Sequence, residues 1–119
     1  MKKGKELPIV LPNDSLAETL IEISSKGLGV ALVIERSDLK GIFTDGDLRR
    51  ALNKKIDLLE APISTLMSKK VKTIAYSALA TEAITIMQRN QIYSLVVLDQ
   101  KKKAKGLIRM HDLVESGLV

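Results

Sequence analysis

Apolar positions along this chain follow two periods, and each period occurs twice. Leu16, Ala17, Leu20 and Ile23 recur at three-to-four spacing, which lays one buried stripe along a helix. Ser15 and Glu18 are spaced as a capping box at its start, and Gly27 and Gly29 end it. Pro8 to Leu11 is a short apolar strand ahead of that helix. Val30-Ala-Leu-Val-Ile34 is continuously apolar, as expected of a strand covered on both faces. Ser37-Asp38 turns the chain into a hairpin whose return strand is Lys40 to Phe43. A second helix is predicted over Asp45 to Asn53, with Leu48, Ala51 and Leu52 on its inner side.

The same order then returns. It predicts strand Val71 to Ile74, helix Leu79 to Asn90, strands Ser94 to Leu98 and Lys105 to Arg109, and helix His111 to Ser116. Between the copies, Pro62 opens a short helical turn through Leu66 and Met67. Leu16 lies over Ala80, Glu18 over Glu82 and Val33 over Val97, while Gly41 to Leu48 lies over Gly106 to Leu113 after a loop one residue longer. The chain therefore reads as α/β, two β-α-β-β-α repeats over residues 1–60 and 61–119, each with a three-stranded sheet. Pseudo-two-fold packing of the repeats would leave a symmetric cleft where they meet. A repeat of roughly 60 residues buries little surface alone, so the halves are expected to fold against each other.

Composition narrows the chemistry. With 45% hydrophobic and 28% charged residues in a chain of 119, the sequence suits an ordinary globular domain. Its longest nearly apolar run, Leu28 to Ile34, is too short to span a bilayer. Basic residues near Met1 have no apolar stretch behind them, so no signal peptide is read there and a cytoplasmic location is expected. The absence of cysteine excludes thiol catalysis and thiolate metal sites, and a single histidine, His111, argues against a histidine-built metal centre. The net charge of +5 suits an anionic partner, although the lysines gather at Lys69, Lys70 and Lys72 and at Lys101, Lys102, Lys103 and Lys105, mostly turn positions where a solvated loop is the favoured reading. One phenylalanine, two tyrosines and no tryptophan supply no stacking platform for a nucleic acid.

Thr44-Asp-Gly-Asp47-Leu-Arg49-Arg50 marks the junction of a strand and a helix. A threonine hydroxyl and a helix start suit a phosphate, the acceptor-only carboxylate of Asp47 suits the two hydroxyls of a ribose, and Arg49 and Arg50 could neutralise an anion. Thr44 and Asp47 also fit a ligand-free helix cap, which is the commoner reading of such a pair taken alone. In the second copy Asp112 matches Asp47, but Arg109 replaces Thr44 and His111 replaces Gly46. Arg109 has no side-chain acceptor for a cap, so the local capping explanation fails for that copy while an acidic residue persists. His111 reads as an exposed helix-start residue or a pH-sensitive ligand contact, and Tyr93 as a cleft residue or a half-buried core ring.

The Gly-apolar-apolar-Thr-x-x-Asp segment from Gly41 to Asp47, set inside a duplicated β-α-β-β-α unit, resembles the tandem CBS domain pair over essentially the whole chain. Gly41-Ile-Phe-Thr-Asp-Gly-Asp-Leu-Arg-Arg50, Met110-His-Asp-Leu113 and the Ser-Gly-Leu-Val119 ending resemble more narrowly the C-terminal CBS pair of D-arabinose 5-phosphate isomerases. That resemblance implies a regulatory module with no catalytic residue of its own. Its parent would carry an N-terminal sugar isomerase domain that interconverts ribulose 5-phosphate and arabinose 5-phosphate for Kdo and lipopolysaccharide synthesis. It also implies a homodimer of CBS pairs that binds a small anionic nucleotide, CMP-Kdo, CMP or an adenosine nucleotide, with no metal, nucleic acid or membrane partner. Thr44 would meet phosphate and Asp47 ribose, with Asp112 taking the ribose role in the second cleft. The alternative is a purely structural oligomerisation module without a ligand.

Overall fold

The computed structural model describes residues 1–54 and 57–117. In chain order its elements are β1 (Lys2–Lys3), β2 (Ile9–Val10), α1 (Leu16–Lys26), β3 (Val30–Glu35), β4 (Asp38–Thr44), α2 (Asp45–Ala51), β5 (Thr73–Ala75), α3 (Ala80–Asn90), β6 (Ser94–Leu98), β7 (Ala104–Arg109) and α4 (Met110–Glu115). Single 3-10 turns occur at Gly4–Glu6, Leu58–Glu60 and Ile63–Thr65. The backbone gathers into two compact units, one of residues 5–71 and one of residues 1–4 with 72–119.

The unit of residues 5–71 has a three-stranded sheet in the order β2-β3-β4, with β2 parallel and β4 antiparallel to β3. Ser15 caps α1 as its spacing predicts: its hydroxyl accepts from the Glu18 N–H at 3.1 Å while Glu18 accepts from the Ser15 N–H. Gly27 then takes the left-handed conformation, φ 69°, that releases the chain from the helix. Val30, Ala31, Leu32 and Val33 are all buried, and Ala31 and Val33 join Val10, Leu16, Phe43 and Ile63 in the core. The predicted helical stripe needs one amendment. Thr19 is buried alongside Leu16, which it can afford because its hydroxyl donates to the Ser15 carbonyl. Leu52, placed on the inner side of α2 by spacing, is exposed because the helix ends at Ala51.

The other unit departs from the expected three strands. Its sheet has four, in the order β1-β7-β6-β5, because Lys2 and Lys3 pair antiparallel with Leu107 and Gly106. Two lysines carry no apolar alternation, so nothing in the hydrophobic pattern marks them as a strand; they are placed by the antiparallel pairing of their backbone with β7. The core contains Ile74, Ala83, Met87, Leu95, Val97 and Leu113, positions that largely repeat those of the first unit. Leu118 and Val119 of the C-terminal motif lie outside the described residues.

Candidate functional site

The Thr44–Asp47 junction is assembled from three segments of one unit. β4 delivers Thr44 in an extended conformation, φ −126° and ψ 175°, and the seven-residue α2 brings Asp47 back over it. Asp47 Oδ2 accepts from the Thr44 N–H at 2.9 Å and from the Thr44 hydroxyl at 3.1 Å. Its Oδ1 accepts from the Arg50 guanidinium at 2.6 Å and from the Ser68 hydroxyl at 2.5 Å. Asp47 is only 3% exposed, yet Arg50 is 69% exposed. Four donors fill the roughly four acceptor positions of a carboxylate, so a ribose diol could enter only by displacing some of them.

Ser68 was invisible to motif reasoning. It follows the Pro62-capped turn and is held by a two-way backbone bridge: Ile42 N–H donates to the Ser68 carbonyl at 2.9 Å and Ser68 N–H to the Ile42 carbonyl at 2.8 Å. The approach is so close that a Cβ at Gly41 would lie 2.6 Å from the Ser68 carbonyl oxygen and 2.7 Å from Met67 Sδ. A glycine inside a strand pattern is the one signal that could have pointed to such a neighbour.

Burial pushes the Asp47 carboxyl up, but hydrogen bonds from Ser68, Arg50 and Thr44 outweigh it and hold the group below its usual 3.8. A carboxyl depressed in the folded state contributes stability that is complete above its unfolded value of roughly 3.9 and is lost as pH falls through the lower folded value. The melting temperature should therefore drop as the solution is acidified below about pH 4, and Asp47→Asn should make that drop shallower. An equally steep acid limb in the variant would show that Asp47 does not carry it.

In the second copy the cation is built in. Arg109 stands at the N-cap position of α4 without a side-chain capping bond and donates to Asp112 twice, through Nε to Oδ2 at 3.2 Å and through Nη2 to Oδ1 at 2.8 Å, with both side chains only about a fifth exposed. These bonds hold Asp112 below the usual carboxylate range and raise Arg109. The side-chain capping bond is absent from this copy, as the chemistry of Arg109 requires, yet Asp112 has a local partner. Arg109 cannot accept from the helix, but it donates to the acid instead.

The remaining predicted residues stand apart from these two groups. Tyr93 is 79% exposed, which overturns the core-ring alternative; its carbonyl accepts from the Met110 N–H. His111 pairs with Glu115 at 3.0 Å on the surface of α4, and Arg49 is exposed on α2. Asp99 binds the backbone N–H groups of Lys101 and Lys103, which makes that lysine cluster a tied turn. Among the described residues, no group of three His, Cys, Asp or Glu side chains is placed to hold a metal ion. No helix among them is long and apolar enough to cross a membrane.

Comparison with known proteins adds an independent line. The whole chain is 44% identical over 120 residues to arabinose 5-phosphate isomerase KdsD of Pseudomonas aeruginosa, of which it covers 37%. The chain thus spans about a third of the length of the curated relatives it matches. Among solved structures, CBS domain NE2398 superposes with a TM-score of 0.88 at 21% identity over the full length of both chains. CBS domain protein PAE2072 from Pyrobaculum aerophilum, complexed with AMP, does so at 0.79 and 19% identity over 92% of this chain and 88% of that one. The CBS domain family matches residues 2–54 and again 63–118. Two matches that together account for nearly all of the sequence, on a fold that repeats its own elements in order, place this chain in the CBS domain family as a tandem pair.

Proposed function

We propose that this chain is the regulatory CBS pair of an arabinose 5-phosphate isomerase, and that it senses a nucleotide through the Thr44–Asp47 junction. The observation that carries the parentage is the 44% identity to a KdsD enzyme over the whole of this chain. The parent would interconvert ribulose 5-phosphate and arabinose 5-phosphate through an N-terminal isomerase domain, in the cytoplasm and as a homodimer. Nothing in the pair itself is catalytic on this reading. A CBS protein of the same fold in complex with AMP supports adenosine nucleotides as ligands. CMP-Kdo, an end product of the same biosynthesis, is the second candidate because it joins a ribose, a phosphate and a carboxylate. Either ligand regulates the parent only by binding one conformation more tightly than another.

Thermal unfolding with CMP, CMP-Kdo, AMP and ATP tests the proposal. A ligand present at about 100 times its Kd stabilises the folded state by about 2.7 kcal/mol, which is readily seen as a rise in melting temperature. No rise with any of the four would overturn nucleotide sensing. A scaffold reading would then take its place, and one observation favours it already: Asp47 is buried with all its acceptor positions filled by its own chain.

A further inference from the structure

We propose that the second repeat carries a docking surface for the stretch of the parent polypeptide that immediately precedes Met1, and that this stretch seats across the start of α3 as residues 58–66 seat across the start of α1. The inference rests on the parentage proposed above and is independent of nucleotide sensing. A matched register supports it. In the first unit Ser68 bridges Ile42, and a Cβ at Gly41 would meet the Ser68 carbonyl oxygen and Met67 Sδ. In the other unit Lys2 pairs with Leu107, and a Cβ at Gly106 would meet the Lys2 carbonyl oxygen and Met1 Sδ. Gly106 and Leu107 are the repeat counterparts of Gly41 and Ile42, so Met1 and Lys2 stand where Met67 and Ser68 stand.

What precedes Met67 then indicates what precedes Met1. Ala61, Ile63 and Leu66 are buried in the core of the first unit. Three backbone bonds tie their segment to the start of α1: Leu16 N–H donates to the Ala61 carbonyl, Ile63 N–H to the Asp14 carbonyl and Ser64 N–H to the Pro12 carbonyl. Ser15 lies opposite Pro62. The counterparts of Pro12, Ser15 and Leu16 are Tyr76, Leu79 and Ala80. Among the described residues the core there draws only on positions 74–113, with no segment in the place of Ala61 to Leu66. Tyr76 and Leu79 are 58% and 67% exposed, and a cleft of about 450 Å³ opens beside Tyr76.

Leu79 breaks a local rule in a way that points to a covering partner. It is the N-cap of α3 and makes no side-chain capping bond, although Glu82 stands where Glu18 completes the box with Ser15 on α1. A leucine there forgoes the cap and leaves an apolar side chain in water, which is offset only when an apolar surface lies over it. The register gives the chemistry of that surface: a short turn with apolar side chains four positions and one position ahead of Met1, as Ile63 and Leu66 stand ahead of Met67. A segment seated in this way ties the preceding domain to the second repeat, although it is the first repeat that follows it in the chain.

Thermal melting tests the docking in three proteins, each with and without Leu79→Ser: this chain, this chain with Leu58 to Leu66 copied ahead of Met1, and this chain extended by the parental residues back to the counterpart of Leu58. Leu79→Ser should raise the melting temperature of this chain by about 3 °C, because serine completes the capping box with Glu82. Each extension should raise it by about 5 °C, and in both extended proteins Leu79→Ser should instead lower it by about 3 °C. No gain from the parental extension would overturn the proposed occupant, even where the copied segment gains. The same effect of Leu79→Ser with and without the extension would overturn the seat over α3. A loss already present in the unextended chain would show that a second copy or another part of the chain covers Leu79, and would overturn it as well. Each of these failures leaves the parentage standing, whereas a reading frame that does not continue ahead of Met1 would sink the parentage and this inference with it.

Discussion

Asp47→Ala is expected to lower the unfolding free energy by about 2–3 kcal/mol, well above the roughly 1 kcal/mol of an ordinary helix-terminal contact. The difference comes from burial. An exposed cap residue returns its partners to water, whereas Asp47 is 3% exposed and leaves the Thr44 N–H, the Thr44 hydroxyl and the Ser68 hydroxyl without an acceptor. Arg50 contributes little to the cost, since its exposed guanidinium regains solvent when the acid goes. Asp47→Asn should cost less, because an amide oxygen still accepts from two of these donors. Chemical denaturation of both variants checks the ranking. An alanine variant no weaker than the asparagine one would mean that the buried hydrogen bonds contribute nothing net.

Gly41→Ala should be about as damaging, near 3 kcal/mol, and should lower the melting temperature by roughly 10 °C. The new Cβ would sit 2.6 Å from the Ser68 carbonyl oxygen, a backbone atom that cannot simply rotate away. Relief requires moving the segment that bridges Ile42, which also carries the Ser68 hydroxyl off Asp47. Gly106→Ala is the natural comparison. There the nearest atom is the flexible tip of Met1, at 2.6 Å, with the Lys2 carbonyl at 2.9 Å, so the smaller loss is expected at Gly106. Thermal melts of the two alanine variants decide it, and equal losses would show that Ser68 is not what makes position 41 intolerant.

Local chemistry was the legible part of this chain. The capping box at Ser15, the glycine stop at Gly27, the central strands and the Thr44–Asp47 pairing are all set by residues within four positions of one another, so sequence spacing announces them. The long-range part was silent. Ser68 reaches Asp47 across 21 positions, and a lone serine before two lysines has no pattern to reveal its partner. Strand β1 was missed because a charged edge strand is defined by its neighbour's backbone rather than by its own side chains. Arg109 was misjudged for a different reason. Reading it only as a failed acceptor overlooked that a guanidinium can donate to the acid three positions on.

The placement of Lys2–Lys3 beside β7 and of Ser68 beside β4 gives the molecule a woven character. The stretch that leads into each repeat finishes the hairpin of the other. Severing the polypeptide midway would hence yield two fragments that each hold the strap its counterpart requires, and neither could restore its own sheet edge in isolation. Only recombining both fragments would return every strap to its seat, so duplication here has made the copies mutually dependent rather than redundant.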